Sequence, residues 1–135
     1  MTFEDLEGWQ QARQLTRDVY TLTRKDHIAR DFGLCGQIQR AAVSVMSNVA
    51  EGFERTHVQE KLQFYNVARG SCAETRSLLY VVEDNYPALS AEAIRLREKS
   101  VQTGKLVTGL IRSTESRRLK LGTLLSAIFH LLSPV

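Results

Sequence analysis

Proline is nearly absent from this chain, and this absence constrains its fold more than any other feature. Only Pro87 and Pro134 occur among 135 residues. Two stretches of roughly eighty and fifty residues therefore lack the residue that most strongly interrupts a helix. Long helices are favoured over short strands. With 43% hydrophobic residues the chain can build one core, and a single domain is the usual result at this length.

Apolar residues recur every three or four positions in several segments, which is the spacing of a helix face. The first segment runs from Glu4 to Lys25, with acidic residues in its first turn and basic residues in its last turn. The second begins at Leu34 and is predicted to end near Glu51, because Gly52 suits a helix C-terminus. Both segments are predicted to be amphipathic helices.

The third helix is predicted to be the longest. Thr56 and Gln59 have the spacing of a capping box, so we expect this helix to begin after Thr56 and to end near Asp84. Gly70 lies in its middle, where glycine costs about 1 kcal/mol relative to alanine. A tight contact with another helix would account for this glycine.

The fourth helix is predicted to follow the break around Pro87 and to run from Ser90 to about Thr114. Four helices joined by short links predict an all-α fold, an antiparallel four-helix bundle with up-down-up-down topology. The bundle would occupy residues 1–114 and leave a tail over 115–135.

The tail is predicted to form a short extra amphipathic helix, because Leu, Ala, Ile and Phe dominate the stretch from Leu119 to Leu132. This stretch is too short to span a bilayer. It could dock on the bundle, pack between subunits or lie on a membrane surface. Docking or assembly is favoured, because exposed apolar helices usually find protein partners.

The sequence contains no spacing typical of catalysis, metal binding or nucleotide binding. The three histidines are separate, no H-E-x-x-H motif occurs, and the eight glycines are too dispersed for a P-loop or a dinucleotide fingerprint. Cys35 and Cys72 stand alone, so reduced thiols are expected. We therefore expect a protein that is not an enzyme and holds neither metal nor cofactor. The lack of a signal peptide or membrane span predicts a cytoplasmic location.

Positive charge is concentrated late in the chain. Between Glu92 and Lys120, eight Lys or Arg residues stand against three acidic residues, while the whole chain carries a formal net charge of +3. Such a basic face can contact phosphates, and a merely solvated helix face is at least as good an interpretation. The candidate nucleic-acid-binding residues are Arg95, Arg97, Lys99, Lys105, Arg112, Arg117, Arg118 and Lys120, with Arg55, Lys61 and Arg69 as neighbours on the third helix.

Three segments carry a resemblance to a known family. They are FEDLEGWQQA at 3–12, QIQRAAVSVMSNVAEG at 37–52 and GSCAET at 70–75. Together they resemble the bacterial four-helix-bundle proteins encoded in intervening sequences of 23S rRNA genes, and the resemblance covers about residues 3–114. It implies a toroidal homopentamer of bundles. It also implies kinship with the accessory proteins of diversity-generating retroelements, which bind nucleic acid and a reverse transcriptase.

Several charged, polar and small residues of these segments also have structural explanations. They are Arg40, Asn48, Glu51, Gly70, Ser71 and Glu74. The three charged residues are expected to form partly buried ion pairs or helix-end hydrogen bonds in preference to contacting a ligand. Asn48 and Ser71 are expected to hydrogen-bond between helices, and Gly70 with Ser71 to mark a close contact.

Two functions from different classes follow from these features. The first is a nucleic-acid-binding accessory protein, in which the basic patches of a homo-oligomer act together on RNA or DNA. The second is a protein-interaction scaffold, in which the tail or an outer groove binds a protein partner and the basic residues serve solubility. Salt-sensitive binding of nucleic acid would favour the first function, and a co-purifying protein would favour the second.

Overall fold

Four α-helices make up most of the protein. The computed structural model describes residues 1–134, so Val135, the last residue of the predicted tail, lies outside the described residues. The helices are α1 (Glu7–Thr23), α2 (Phe32–Glu54), α3 (Val58–Asn85) and α4 (Ser90–Leu132). Short 3-10 turns precede three of them, at Phe3–Asp5, Ile28–Arg30 and Pro87–Leu89. Residues 1–134 contain no strand, and the predicted all-α fold is confirmed.

Each helix packs against two neighbours, in the cyclic order α1, α2, α3 and α4. The contacts between α1 and α4 show that these two helices are antiparallel. Lys25, just after α1, forms an ion pair with Glu92 in the first turn of α4. Gly8, at the other end of α1, lies against Leu106. The predicted up-down-up-down bundle is confirmed.

The core is a seam of buried side chains to which all four helices contribute. Leu15, Leu79 and Leu96 are among the apolar residues that are almost fully buried. Most buried hydroxyl groups in this seam donate to carbonyl oxygens of their own helices, as where Thr75 Oγ1 donates to the carbonyl oxygen of Ser71 at 2.8 Å. No buried side-chain polar atom of residues 1–134 lacks a hydrogen-bond partner.

The first helix is shorter than the predicted span of Glu4 to Lys25. Its first predicted turn is a separate 3-10 turn, followed by α1 from Glu7 to Thr23. The backbone nitrogen of Thr2 donates to Asp5 Oδ2 at 2.8 Å, as in a capping box. This hydrogen bond stabilises the isolated turn, because it satisfies a backbone donor at the start of that turn.

The predicted end of α2 and the predicted capping box at Thr56 are wrong, although α3 begins after Thr56 as expected. Gly52 does not end α2, which continues to Glu54. A Cβ atom at Gly52 would lie 2.6 Å from Cε1 of Tyr65, so glycine is needed here for the close approach of the tyrosine ring. Thr56 is not the cap of α3, because His57 occupies the N-cap position and makes no side-chain cap hydrogen bond.

Gly70 does not serve a tight contact, so that prediction is also wrong. Gly70 is exposed, and apart from its chain neighbours and the nearby backbone of its own helix, no atom of residues 1–134 lies within 4 Å of the position that its Cβ would occupy. The close packing between α3 and α4 occurs instead at Gly104, whose Cβ position lies 3.7 Å from Cβ of Cys72. Periodicity located both glycines within helices, but it did not reveal which one faces a neighbour.

The fourth helix does not end near Thr114. It continues without a break to Leu132 and is 43 residues long. The predicted tail is therefore helical, but it extends α4 and is not a separate helix. Thr114 is the last buried residue, and residues 115–134 are all exposed, so the tail does not dock on the bundle of its own chain. Within the described residues, no helix is both long and apolar enough to cross a membrane.

Candidate nucleic-acid interface

The basic residues predicted to bind nucleic acid do not share one face. The structure separates them into ion-paired residues, residues at the α2–α3 corner, residues lining a groove between α3 and α4, and one on the exposed tail. The ion-paired residues are Arg95, Arg97 and Lys99, and the residues at the corner are Arg55, Lys61, Arg117 and Arg118. The groove is lined by Arg69, Lys105 and Arg112, and Lys120 lies on the tail.

The ion-paired group connects α4 to its neighbours. Lys99 and Arg95 both reach Asp18 of α1, with Arg95 Nη1 3.8 Å from the carboxylate. Arg97 forms an ion pair with Glu83 of α3. The carboxylates neutralise much of the charge that would attract a phosphate. These three cations are therefore better suited to stabilising the bundle than to binding nucleic acid.

Cations at the α2–α3 corner are also engaged within the protein. Lys61 Nζ donates to the carbonyl oxygens of Phe53 at 2.6 Å and of Gly52 at 3.3 Å, and so caps the C-terminal end of α2. Burial lowers the pKa of Lys61, and the nearby positive charge of Arg117 lowers it further. Arg118 donates to a side chain at the start of α3, Gln59, at 3.0 Å. Lys61 and Arg118 thus connect helices at this end of the bundle.

The third group lines a groove of about 590 Å³ between α3 and α4. Small residues and an apolar side chain form most of its floor: Cys72, Ala73, Ser100, Val101, Gly104 and Thr108. Its four basic residues are Arg69, Arg76, Lys105 and Arg112, and no acidic residue lines it. None of the four forms an ion pair within residues 1–134.

The four groove cations form a row. Arg69 and Arg76 are seven residues apart on α3, and Lys105 and Arg112 are seven apart on α4, so each pair lies on one helix face. Because α3 and α4 are antiparallel and Gly104 lies beside Cys72, the cations alternate between the two helices along the groove. At about 1.5 Å of rise per residue, the row is about 18 Å long.

Sequence reasoning identified three of these cations and missed Arg76. Positive charge is concentrated on the fourth helix, so the sequence pattern indicates only a few neighbouring cations on α3. The offset of seven residues from Arg69 was a signal that could have found Arg76, because side chains seven apart share a helix face.

The floor of the groove carries no activated nucleophile within the described residues. Cys72 is buried, and burial raises the pKa of its thiol to about 12, with Arg76 opposing part of that rise. Since the thiolate is the reactive form, this cysteine is not an activated nucleophile near neutral pH. No group of three potential metal ligands occurs within the described residues. The arrangement is suited to holding an extended anion along its cationic walls.

Three polar residues of the QIQRAAVSVMSNVAEG and GSCAET segments, Ser44, Asn48 and Ser71, form a hydrogen-bond network that links α2 to α3. The hydroxyl groups of Ser71 and Ser44 are 2.8 Å apart, which confirms the prediction for Ser71. Asn48 Nδ2 donates to Ser44 Oγ at 3.0 Å and to the carbonyl oxygen of Ser44 at 2.8 Å. The prediction for Asn48 is wrong in detail, because both of its bonds stay within α2.

The charged residues of these segments are exposed, so the predicted partly buried ion pairs are not formed within the chain. Glu51 pairs only with Arg55, at 3.7 Å on the surface of the same helix. Neither Arg40 nor Glu74 has an ion-pair partner within residues 1–134. Both are exposed, Arg40 on α2 and Glu74 on α3.

The protein is thus a small all-helical protein, a four-helix bundle with a basic groove between its third and fourth helices. The chain belongs to the 23S rRNA-intervening sequence protein family, whose model matches residues 4–109. Three of the groove cations lie inside the matched region, whereas Arg112 and the exposed tail lie beyond it. No curated protein matches the chain.

Proposed function

We propose that this chain is a non-enzymatic RNA-binding accessory protein of the cytoplasm, and that the α3–α4 groove holds the phosphate backbone. One observation carries the proposal: four cations without ion-pair partners in the described chain follow a groove that no acidic residue lines. The family, named for an intervening sequence of 23S rRNA, favours RNA as the nucleic acid. Two buried, unpaired cysteines suit a reducing compartment.

Contacts to phosphates carry little sequence information, so binding through this groove would be nearly independent of sequence. One aromatic side chain adds a second kind of contact. Tyr80 lies next to the groove, in a neighbouring depression that shares Arg76 with it, and its ring is half exposed. Arg97 covers one side of this ring at 4.0 Å from its centroid. The exposed part of the ring offers a surface on which an unpaired base can stack.

We further propose that the chain acts as a homo-oligomer, and the family resemblance points to a pentamer. Arg40 and Glu74 support assembly, because these opposite charges are exposed on α2 and α3 and have no ion-pair partner within residues 1–134. A second subunit could satisfy both. Repetition of the groove around a ring would strengthen binding without any new contact, because linked sites raise each other's effective concentration.

Salt dependence tests the phosphate contacts directly. If each protomer neutralises four phosphates of single-stranded RNA, the affinity should fall about 50-fold between 50 and 200 mM salt, from a slope of about −0.7 per phosphate. Fluorescence anisotropy with a labelled RNA of mixed sequence measures this change. Affinity that is insensitive to salt would contradict the proposal, and tighter binding of single-stranded DNA with the same sequence would contradict the assignment to RNA.

A further inference from the structure

The extension of α4 beyond the bundle exposes an unusual amount of apolar surface. From Thr114 to Leu132 it projects about 27 Å, at about 1.5 Å per residue. Its large apolar side chains are 41% to 84% exposed. They are Leu119, Leu121, Leu124, Leu125, Ile128, Phe129, Leu131 and Leu132. A contiguous apolar patch of this kind is typical of an interaction surface.

Four of these residues form a narrow seam that continues the buried stripe of α4. Leu121 lies two helical turns after Thr114, the last buried residue, and therefore on the same face of the helix. Leu125, Ile128 and Leu132 follow at intervals of four, three and four residues. This is the spacing at which one helix packs its side chains into a partner helix. The seam is thus a core stripe that lacks a partner in its own chain.

The order of these intervals fits a second copy of the same segment as the partner. Four, three and four reads the same in both directions, so two antiparallel copies bring Leu121 opposite Leu132 and Leu125 opposite Ile128. Beside this seam, Gly122 of one copy then lies near Phe129 of the other. The glycine leaves room for the aromatic ring, and the contact repeats itself about a two-fold axis.

Charge favours the antiparallel direction. Between Ser116 and Pro134 the chain has no acidic residue, and its three Lys or Arg residues are Arg117, Arg118 and Lys120 at the base of the extension. A parallel pair would bring six like charges together. An antiparallel pair instead brings the basic residues at the start of each extension near the C-terminal end of the other helix, where the helix dipole is negative.

We propose that residues 116–132 pair antiparallel with the same segment of a second copy and join two bundles, or two rings of bundles. The contact lies outside the bundle, so it is separate from any contact between bundle faces. Pairing therefore doubles the number of subunits that the bundles would otherwise assemble. The groove is not involved, and RNA binding by the groove can succeed or fail independently.

Light scattering after gel filtration tests the pairing. The seam variant Leu125→Glu/Ile128→Glu should have half the mass of the unmodified protein, because buried carboxylates would separate the helices. The matched control is Thr123→Glu/Ala127→Glu, which adds the same charge on the opposite face of the helix and should keep the full mass. Equal masses for the unmodified protein and the seam variant would overturn the proposal, as would a mass halved by the control.

Disulfide formation tests the direction. Co-expressed Gly122→Cys and Phe129→Cys chains should form a mixed disulfide on mild oxidation, and neither variant should cross-link when expressed alone. The native Cys35 and Cys72 are buried and are not expected to interfere. Cross-links in each single variant without a mixed product would overturn the antiparallel arrangement. Binding of the seam to anionic lipid vesicles, with no change of mass between the unmodified protein and the seam variant, would overturn the pairing itself.

Discussion

Replacing the four groove cations by glutamine is expected to weaken RNA binding by about 100-fold or more at moderate salt. The variant is Arg69→Gln/Arg76→Gln/Lys105→Gln/Arg112→Gln. With each phosphate contact that is lost, fewer counterions are released on binding. The slope of log affinity against log salt concentration then becomes less steep by about 0.7 for a single strand. A 100-fold loss corresponds to about 2.7 kcal/mol, or less than 1 kcal/mol for each contact. Anisotropy titrations at several salt concentrations measure both the affinity and the slope.

The matched control removes the same number of charges elsewhere. Four exposed arginines on α1 and the turn after it are replaced in Arg13→Gln/Arg17→Gln/Arg24→Gln/Arg30→Gln. This variant has the same net charge as the groove variant, but its groove is intact. It should weaken binding by less than about threefold, since distant exposed charges are largely screened at moderate salt. Equal losses in both variants would show that net charge, and not the groove, attracts the nucleic acid.

Two glycine substitutions of identical chemistry are expected to change stability in opposite directions. Gly52→Ala should lower the free energy of unfolding by about 1–3 kcal/mol, as overpacking of a core does. Its new methyl group would lie 2.6 Å from Cε1 and 2.8 Å from Cδ1 of the buried Tyr65 ring. Gly70→Ala should raise the same free energy by about 1 kcal/mol, because Gly70 is exposed in mid-helix with open space around its Cβ position.

Urea denaturation at one fixed protein concentration measures both effects, since the stability of an oligomer depends on concentration. An unchanged slope with denaturant would show that each substitution changes the stability and not the amount of surface exposed on unfolding. Destabilisation by Gly70→Ala would contradict an exposed position and would locate Gly70 in a contact between subunits. A neutral Gly52→Ala would mean that the Tyr65 ring can move aside.

The helices were predictable because their signals are local. Periodic apolar residues and the break at Pro87 located all four helices to within a few residues at most ends. The features that the sequence predicted wrongly depend on contacts between helices. Gly52 resembled a helix terminus until its neighbour Tyr65 was known, and the continuous α4 was divided near Thr114 because burial, not helicity, ends there.

The candidate site was only partly predictable for the same reason. A basic run identifies cations, but it does not identify the carboxylates that neutralise some of them. Asp18 and Glu83 lie on other helices, 81 and 14 residues along the chain from Lys99 and Arg97, the α4 residues that they pair with. Only the packing of α1 and α3 against α4 separates the paired cations from those in the groove. Arg76 was missed although its distance of seven residues from Arg69 was visible in the sequence.

Protection of individual arginines from chemical modification tests the central claim most directly. The full chain would be treated with an arginine-specific dicarbonyl reagent, with and without saturating RNA, and the modified residues quantified by mass spectrometry. The account predicts that RNA protects Arg69, Arg76 and Arg112, while Arg13, Arg17 and Arg30 react equally in both samples. Protection of the α1 arginines with unchanged reactivity in the groove would contradict it.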